Sequence, residues 1–322
     1  MADYAVRMVS GELPAELAAL AAGPGGSFFH TPAWLRAVSI AEPRLAPQVL
    51  VVEDAAGALR AACPLLVDRR WSIVRAYAGA WGTYGGIVAR DSEAAAAARR
   101  ALERFAMSGR VALLRVHDFA GSLAGGGFWE ETEEVCQVLD LPHDPQVLFR
   151  DAFTMQNRNK IRKAEKLGVA VRRRNDAPAL ERYAAMYAES ATRWQLARPL
   201  PERFFPALAD VPGVDVWLAE RDGEPIAALL NFTWGAQVMN WGNVSRRDAW
   251  GASPNNLLHW RALEAACAEP AGPRLYNFGG STGLPGVETF KAAFGARHQS
   301  YARRERLAPW ARWVGRPGRG GA

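Results

Sequence analysis

The sequence predicts an α/β chain of the α+β kind, with two tandem domains that are each a mixed, mostly antiparallel sheet flanked by helices. Three observations predict it. First, 322 residues that are 49% hydrophobic and 22% charged can bury a large core, and the length exceeds one typical domain of roughly 150 residues. Second, short apolar runs separated by turn residues precede one long helical stretch and a final short run. Third, that order occurs twice. Unbroken apolar runs such as residues 94–98 and 111–114 fall far short of the ~20 residues of a membrane-spanning helix. Met1-Ala2-Asp3-Tyr4 shows no basic stretch followed by an apolar one, so no secretory signal is read and the expected location is cytoplasmic.

In the first half, residues 48–53 and 59–67 read as strands around the turn Asp54-Ala55-Ala56-Gly57. Residues 74–81 read as a third strand, 93–107 as a helix and 111–119 as a returning strand. The second half repeats this with strands at 214–219, 225–233 and 237–243, and a hairpin turn at Arg221-Asp222-Gly223-Glu224. A helix opens at Pro254-Asn255-Asn256, with Leu257, Leu258, Arg261, Ala262, Ala265 and Ala266 at helical spacing, and a strand at 274–278 closes the half. Four echoes at offsets of 159 to 166 residues tie the halves together. Trp81-Gly82-Thr83 returns as Trp241-Gly242-Asn243, and Arg100-Ala101-Leu102-Glu103 as Arg261-Ala262-Leu263-Glu264. Phe119-Ala120-Gly121-Ser122 returns as Phe278-Gly279-Gly280-Ser281, and the turn at Gly57 as that at Gly223. The expected division is residues 1–147, residues 148–306, and a basic Trp/Arg/Gly tail at 307–322.

Cys63, Cys136 and Cys267 are odd in number and far apart, so they read as buried small hydrophobes rather than a disulfide or metal framework. The five histidines show no metal-binding spacing. A net charge of +6 favours anionic partners. That charge concentrates in residues 158–174, which hold eight basic side chains against one acidic, Glu165. Arg158, Arg162 and Lys166 recur every fourth residue as one positive helical stripe, with Ile161, Ala164 and Gly168 facing inward and Gly168 ending the helix.

The order of elements resembles the GNAT acyltransferase fold, and the tandem arrangement resembles the Fem family of non-ribosomal peptidyltransferases. Four segments carry the likeness: Phe28-Phe29-His30-Thr31-Pro32-Ala33-Trp34-Leu35; the run from Asn157-Arg158-Asn159-Lys160 to Gly168-Val169; Arg198-Pro199 ahead of Phe204-Phe205; and Tyr276-Asn277-Phe278-Gly279-Gly280 with Phe290-Lys291-Ala292-Ala293-Phe294-Gly295. The resemblance implies transfer of an aminoacyl group from aminoacyl-tRNA to an amine of a peptidoglycan precursor or related peptide, with no bound cofactor.

Aminolysis of an ester needs a neutral amine and a donor for the developing oxyanion. The Phe-Lys match implies Lys291 as the lysine that meets the reacting acyl end of the tRNA, with Phe290 beside it in the substrate site. Arg198 is implied as a contact to the acceptor's diphosphate, which a guanidinium grips with paired hydrogen bonds. The Arg158, Arg162 and Lys166 stripe is expected to follow the tRNA backbone. His30, Trp34, Trp81 and Trp241 are expected to line a cleft, Trp241 standing where a relative has a tyrosine facing the acceptor. The family's acceptor-binding lysine falls at Val38, so Arg36 is the nearest cation. Asp118 and Asp248 are the carboxylates available to take the amine's proton.

Two rivals stand beside this reading. An acyl-CoA-dependent N-acyltransferase would cradle pyrophosphate in a glycine-rich turn, yet the corresponding turn, Arg246-Arg247-Asp248-Ala249-Trp250-Gly251-Ala252-Ser253-Pro254, keeps only a Gly-Ala fragment of that pattern. A basic adaptor would bind RNA, or contact an anionic membrane peripherally, through the stripe and the tail around Trp310, Arg312 and Trp313.

Overall fold

The structure of the protein is a computed structural model that describes residues 4–125, 127–281 and 283–312. The chain divides into two units, Met1–Val135 with Ser300–Ala322, and Cys136–Gln299.

The first unit runs β1 (Ala5–Ser10), α1 (Leu17–Ala21), α2 (Pro32–Ala41), β2 (Leu45–Glu53), β3 (Leu59–Arg70), β4 (Ile73–Ala78), β5 (Val88–Ala89), α3 (Ser92–Met107) and β6 (Val111–Asp118). Local chemistry sets these bounds. The Asp54 carboxylate accepts the amides of Ala56 and Ala58 and closes the β2–β3 turn. Thr31 caps α2 ahead of Pro32, and Asp91 caps α3 by accepting the Ala94 amide. Helix α3 turns Ala94, Ala98, Ala101 and Leu102 onto Leu50, Val52, Cys63 and Leu65 of the sheet. That sheet runs in the order β1, β2, β3, β4, β6, with β5 on β3. All pairs are antiparallel except β4 with β6.

The second unit takes up β7 (Glu130–Asp140) from residue 136 and continues with α4 (Pro145–Val147), α5 (Met155–Lys166), β8 (Ala170–Arg174), α6 (Ala177–Arg193), β9 (Val214–Arg221), β10 (Glu224–Trp234), β11 (Gln237–Ser245), α7 (Pro254–Ala268), β12 (Leu275–Asn277) and α8 (Pro285–Ala292). Its strand order is β8, β9, β10, β11, β12, β7, again antiparallel except β11 with β12. Strand β10 is apolar on both faces, as a strand covered on both sides must be. Ala227 and Leu229 join α5 and α7 in one core with Ile161, Leu257, Leu258 and Leu263. Phe232 lies against Trp241, which also meets Phe204, and Phe205 meets Tyr183 of α6.

The units therefore repeat one scheme of hairpin, third strand, helix and parallel returning strand. The division differs from the expected boundary after residue 147. Strand β7 leaves the first unit to pair with β12, and the last strand, β13 (Arg297–Leu307), returns from residue 300 to pair with β6. Each returning strand is a sheet edge with unpaired backbone groups, and in each unit a strand from elsewhere in the chain satisfies it. Three echoes occupy equivalent places: the β2–β3 and β9–β10 turns, α3 and α7, and the segments after β6 and β12. The fourth does not, because Trp241 lies inside β11 whereas Trp81 lies in the loop beyond β4. Of the expected tail, residues 309–312 form a short 3-10 turn and residues 313–322 lie outside the described residues.

Candidate functional site

The parallel strand pairs of the two units differ in one respect that places the site. In the first unit β4 and β6 stay paired to Ala78 and Val116, the end of β4. The following loop fills the space beyond: the Gly85 amide donates to the His117 carbonyl at 2.9 Å, and a Cβ on Gly85 would stand 2.3 Å from the Ala78 carbonyl carbon. In the second unit β11 and β12 pair only from Gln237↔Leu275 to Met239↔Asn277. Strand β12 ends there, and β11 continues to Ser245 paired with β10 alone. The strands part there, with residues 278–281 lying beside β11.

The turn leaving β12 is braced from three sides. Asn277, fully buried, accepts the Gly279 amide on its own side chain at 2.8 Å, with Gly279 at φ +70°. The backbone amide of Gln137 donates to the Gly279 carbonyl at 3.1 Å, and the Gln137 side chain ties Ser281 to α8. Lys291, in the last turn of α8, donates from Nζ to the carbonyls of Gly279 at 2.9 Å and Gly280 at 2.7 Å. The side chain is buried, and burial lowers its pKa from 10.5 to about 8, so it remains mostly charged at neutral pH. An ammonium has three N–H groups; two hold the turn, and the third is uncommitted among the described residues. A Cβ on Gly279 would lie 3.8 Å from the Asn240 carbonyl oxygen, so the turn abuts β11 where the strands part.

Behind the turn runs a buried polar chain that sequence reasoning missed. Asn240 donates to Asn231 at 2.9 Å, Asn231 to the Tyr276 hydroxyl at 3.4 Å, and that hydroxyl meets His259 Nδ1 at 3.2 Å. His259 Nε2 lies 3.3 Å from the Asn243 amide, whose buried Oδ1 has no partner. Burial, and secondarily Lys291, lowers the His259 pKa to about 3, so the ring is neutral and carries one N–H. With Asn243 Nδ2 donating to Nε2, the single ring N–H lies on Nδ1 and meets the Tyr276 oxygen. The available signal was single polar residues inside apolar runs, as in Leu229-Leu230-Asn231-Phe232 and Leu257-Leu258-His259-Trp260, since buried polar groups are kept only with partners.

The residues singled out from the sequence are scattered. Phe290 packs on His259 and Phe294 at 5.4 and 5.3 Å as the edge of the core. Arg198 is exposed in the loop after α6, and Arg36 is exposed on α2 of the first unit. Val38 is fully buried, which explains the missing cation there. His30 and Trp34 line no opening: both are buried, His30 hydrogen-bonded to Ser27 and held neutral by burial at a pKa of about 4. Asp118 is no free base either, since it accepts the amides of Ser122 and Leu123 and pairs with Arg304 at 2.9 Å in the core. Asp248 is a surface partner of Arg246, whose hydrogen bond lowers its pKa.

The basic stripe also loses a member. Arg158 turns back and donates to the carbonyls of Phe149, Arg150 and Phe153, closing the short π-helical turn before α5. Arg172, Arg173 and Arg174 pair with Glu220, Asp215 and Asp176. Arg162, stacked on Phe149, and Lys166 remain exposed. Gly168 ends α5 as expected but is exposed at φ +75°. The third inward residue is Asn157, which joins α5 to Asn256 at 2.8 Å and to the Ala293 carbonyl at 3.1 Å. The three cysteines are free and buried. Among the described residues no cluster suits a metal ion and no helix is long and apolar enough to cross a membrane.

Residues 153–292 match the family model described as "Acetyltransferase (GNAT) domain". No curated protein matches the sequence significantly. Among solved structures the chain is similar to FemX, at 14% identity and TM-score 0.75 over 96% of this chain and 99% of that one. It is also similar to L-PGS from Bacillus licheniformis, at 10% identity and TM-score 0.56 over 92% of each chain. A tandem GNAT protein from the clavulanic acid biosynthesis pathway aligns at 15% identity and TM-score 0.50 over 94% of this chain and 98% of that one. The matched segment spans α5 to α8 and thus contains the parted strands, the braced turn and Lys291. Residues 153–292 thus match a GNAT acetyltransferase domain, and the chain shares its fold with FemX and with a tandem GNAT protein.

Proposed function

We propose that the protein is an aminoacyltransferase that moves an aminoacyl group from aminoacyl-tRNA to an amine of a peptidoglycan precursor or related peptide. The observation that carries this reading is Lys291, charged and fixed on the Gly279 and Gly280 carbonyls where β11 and β12 part. The acceptor's neutral amine attacks the ester carbonyl of the donor, forming the C–N bond while the carbonyl electrons move to oxygen. The third N–H of Lys291 meets that oxyanion, and a preorganised donor of this kind is worth about 3 kcal/mol. Collapse breaks the bond to the ribose oxygen, which leaves with the proton the nitrogen gives up. Arg198 is assigned to an anionic part of the acceptor, Trp241 and Phe290 to supporting contacts, and Arg162 and Lys166 to RNA phosphates.

A second reading, acyl-CoA as donor, is favoured by the family description itself. Against it, backbone amides of the turn that would cradle pyrophosphate are already used: Ala249 donates to Arg246, Ser253 to Trp250 and Asn256 to Ser253, and Pro254 has no N–H to offer. The deciding experiment offers radiolabelled aminoacyl-tRNAs or acyl-CoAs with a cell-wall precursor extract. Label moving from tRNA supports the proposal, and label moving only from CoA reverses it.

A further inference from the structure

Strand β11 ends at Ser245, and an aromatic pair is built around that end. The Ser245 hydroxyl accepts the Trp250 indole N–H at 3.0 Å and the Asn255 amide at 3.3 Å. The Ser245 carbonyl accepts Arg193 Nη2 at 3.1 Å. The Arg193 guanidinium lies 5.7 Å from the Trp250 ring and 5.9 Å from the Trp194 ring, so both indoles flank one fixed cation. Both are half exposed, Trp194 at 47% and Trp250 at 53%. Water-facing indoles beside a guanidinium contribute little to a core, and nothing else in the fold requires two at this point.

Their position relates them to the parted strands and the Gly279 turn. The Gly279 turn abuts Asn240, and Ser245 lies five residues further along β11, roughly 17 Å at strand rise. A donor whose activated carbonyl sits at the turn therefore brings to Ser245 not the carbonyl but what lies behind it. Arg247 is exposed beside the pair, Arg246 is held by Asp248, and Arg193 lies near both rings, so the surface offers aromatic faces and positive charge together. Unpaired nucleobases on a phosphate chain match both, because every base has a π-face for an indole and phosphate seeks arginine.

We infer that Trp194, Trp250 and Arg193 form a stacking platform for the unpaired 3′-terminal nucleosides of the RNA donor. This deepens the tRNA reading and rests on it. The test measures fluorescence anisotropy of a labelled, uncharged ribotetranucleotide, 5′-ACCA, with the full chain, Trp250→Ala, Trp194→Ala and Trp250→Phe. Each alanine variant is expected to weaken binding about 5- to 150-fold, the worth of one stacked base at ~1–3 kcal/mol. Trp250→Phe, which keeps a ring and loses the Ser245 hydrogen bond, is expected to recover most of it. Unchanged affinity in both alanine variants overturns the platform, and if aminoacyl-tRNA still donates label the proposed function survives that result. Wild-type protein that binds coenzyme A but not the tetranucleotide overturns the platform and the tRNA reading together. Binding to anionic phosphatidylglycerol vesicles that depends on the two tryptophans, with no RNA binding, would make the pair a membrane anchor and also overturns it.

Discussion

Replacing Lys291 with methionine keeps the length of the side chain and removes its charge, which separates the two roles the structure gives it. The stability effect is the difference of two opposing quantities. Burial lowers the Lys291 pKa from 10.5 to about 8, so at neutral pH the folded protein bears a desolvation cost of ~3 kcal/mol that methionine removes. Against that, the Gly280 carbonyl loses its charged donor, whereas the Gly279 carbonyl keeps the Gln137 amide. Charge-assisted hydrogen bonds contribute ~1.5–3 kcal/mol each, so the net change is small, within about 2 kcal/mol. Catalysis has no such compensation: loss of a preorganised oxyanion donor costs ~10²–10³ in kcat. The assay is initial-rate transfer of labelled amino acid from aminoacyl-tRNA to the acceptor, beside a thermal melt of both proteins. A kcat within about fivefold of wild type, from a variant that melts normally, would refute the assignment. The sign with pH follows from the same value. The lysine's folded pKa lies below its unfolded one, so the unfolded chain binds more protons between about 8 and 10.5. Wild-type stability therefore gains across that window relative to Lys291→Met, while an oxyanion donor loses its proton and transfer falls above about pH 8.

Asp118→Asn leaves the Arg304 guanidinium, which is 5% exposed, with Glu131 in place of two carboxylate partners; a loss of ~1–3 kcal/mol is expected in urea unfolding. Arg158→Met is expected to lower the melting temperature by removing the donor to three carbonyls while leaving the salt dependence of tRNA binding unchanged. The double change Arg162→Met and Lys166→Met is expected to do the reverse, with the slope of log affinity on log salt reduced by about 1 to 2. Gly242→Ala sets a Cβ 2.0 Å from the Tyr183 hydroxyl, so overpacking by ~1–3 kcal/mol is expected in the same unfolding measurement.

Much of the fold was legible because its signals are local. Strand and helix periods, the Asp54 turn and the proline and acidic helix starts act over a few residues, and the elements read from them fall within a few residues of those observed. The repeated order also survived at three of four echoes. Trp81 and Trp241 failed because a three-residue match carries no information about whether the chain at that point is still in a strand. Arg158 failed for a related reason. Helical spacing says which residues share a face, but not that one guanidinium folds back onto the carbonyls of the preceding turn.

Composition and periodicity by themselves determined the class of fold, its duplication, the absence of a cysteine or histidine metal pattern and the motif containing Lys291, since each is written in nearest neighbours along the chain. Only the tertiary structure decided which strands complete which sheet, that Asp118 and His30 are core groups, and that Lys291 holds a glycine turn where two strands part. Those properties depend on groups far apart in sequence meeting out of water, where burial and partner choice set charge and role.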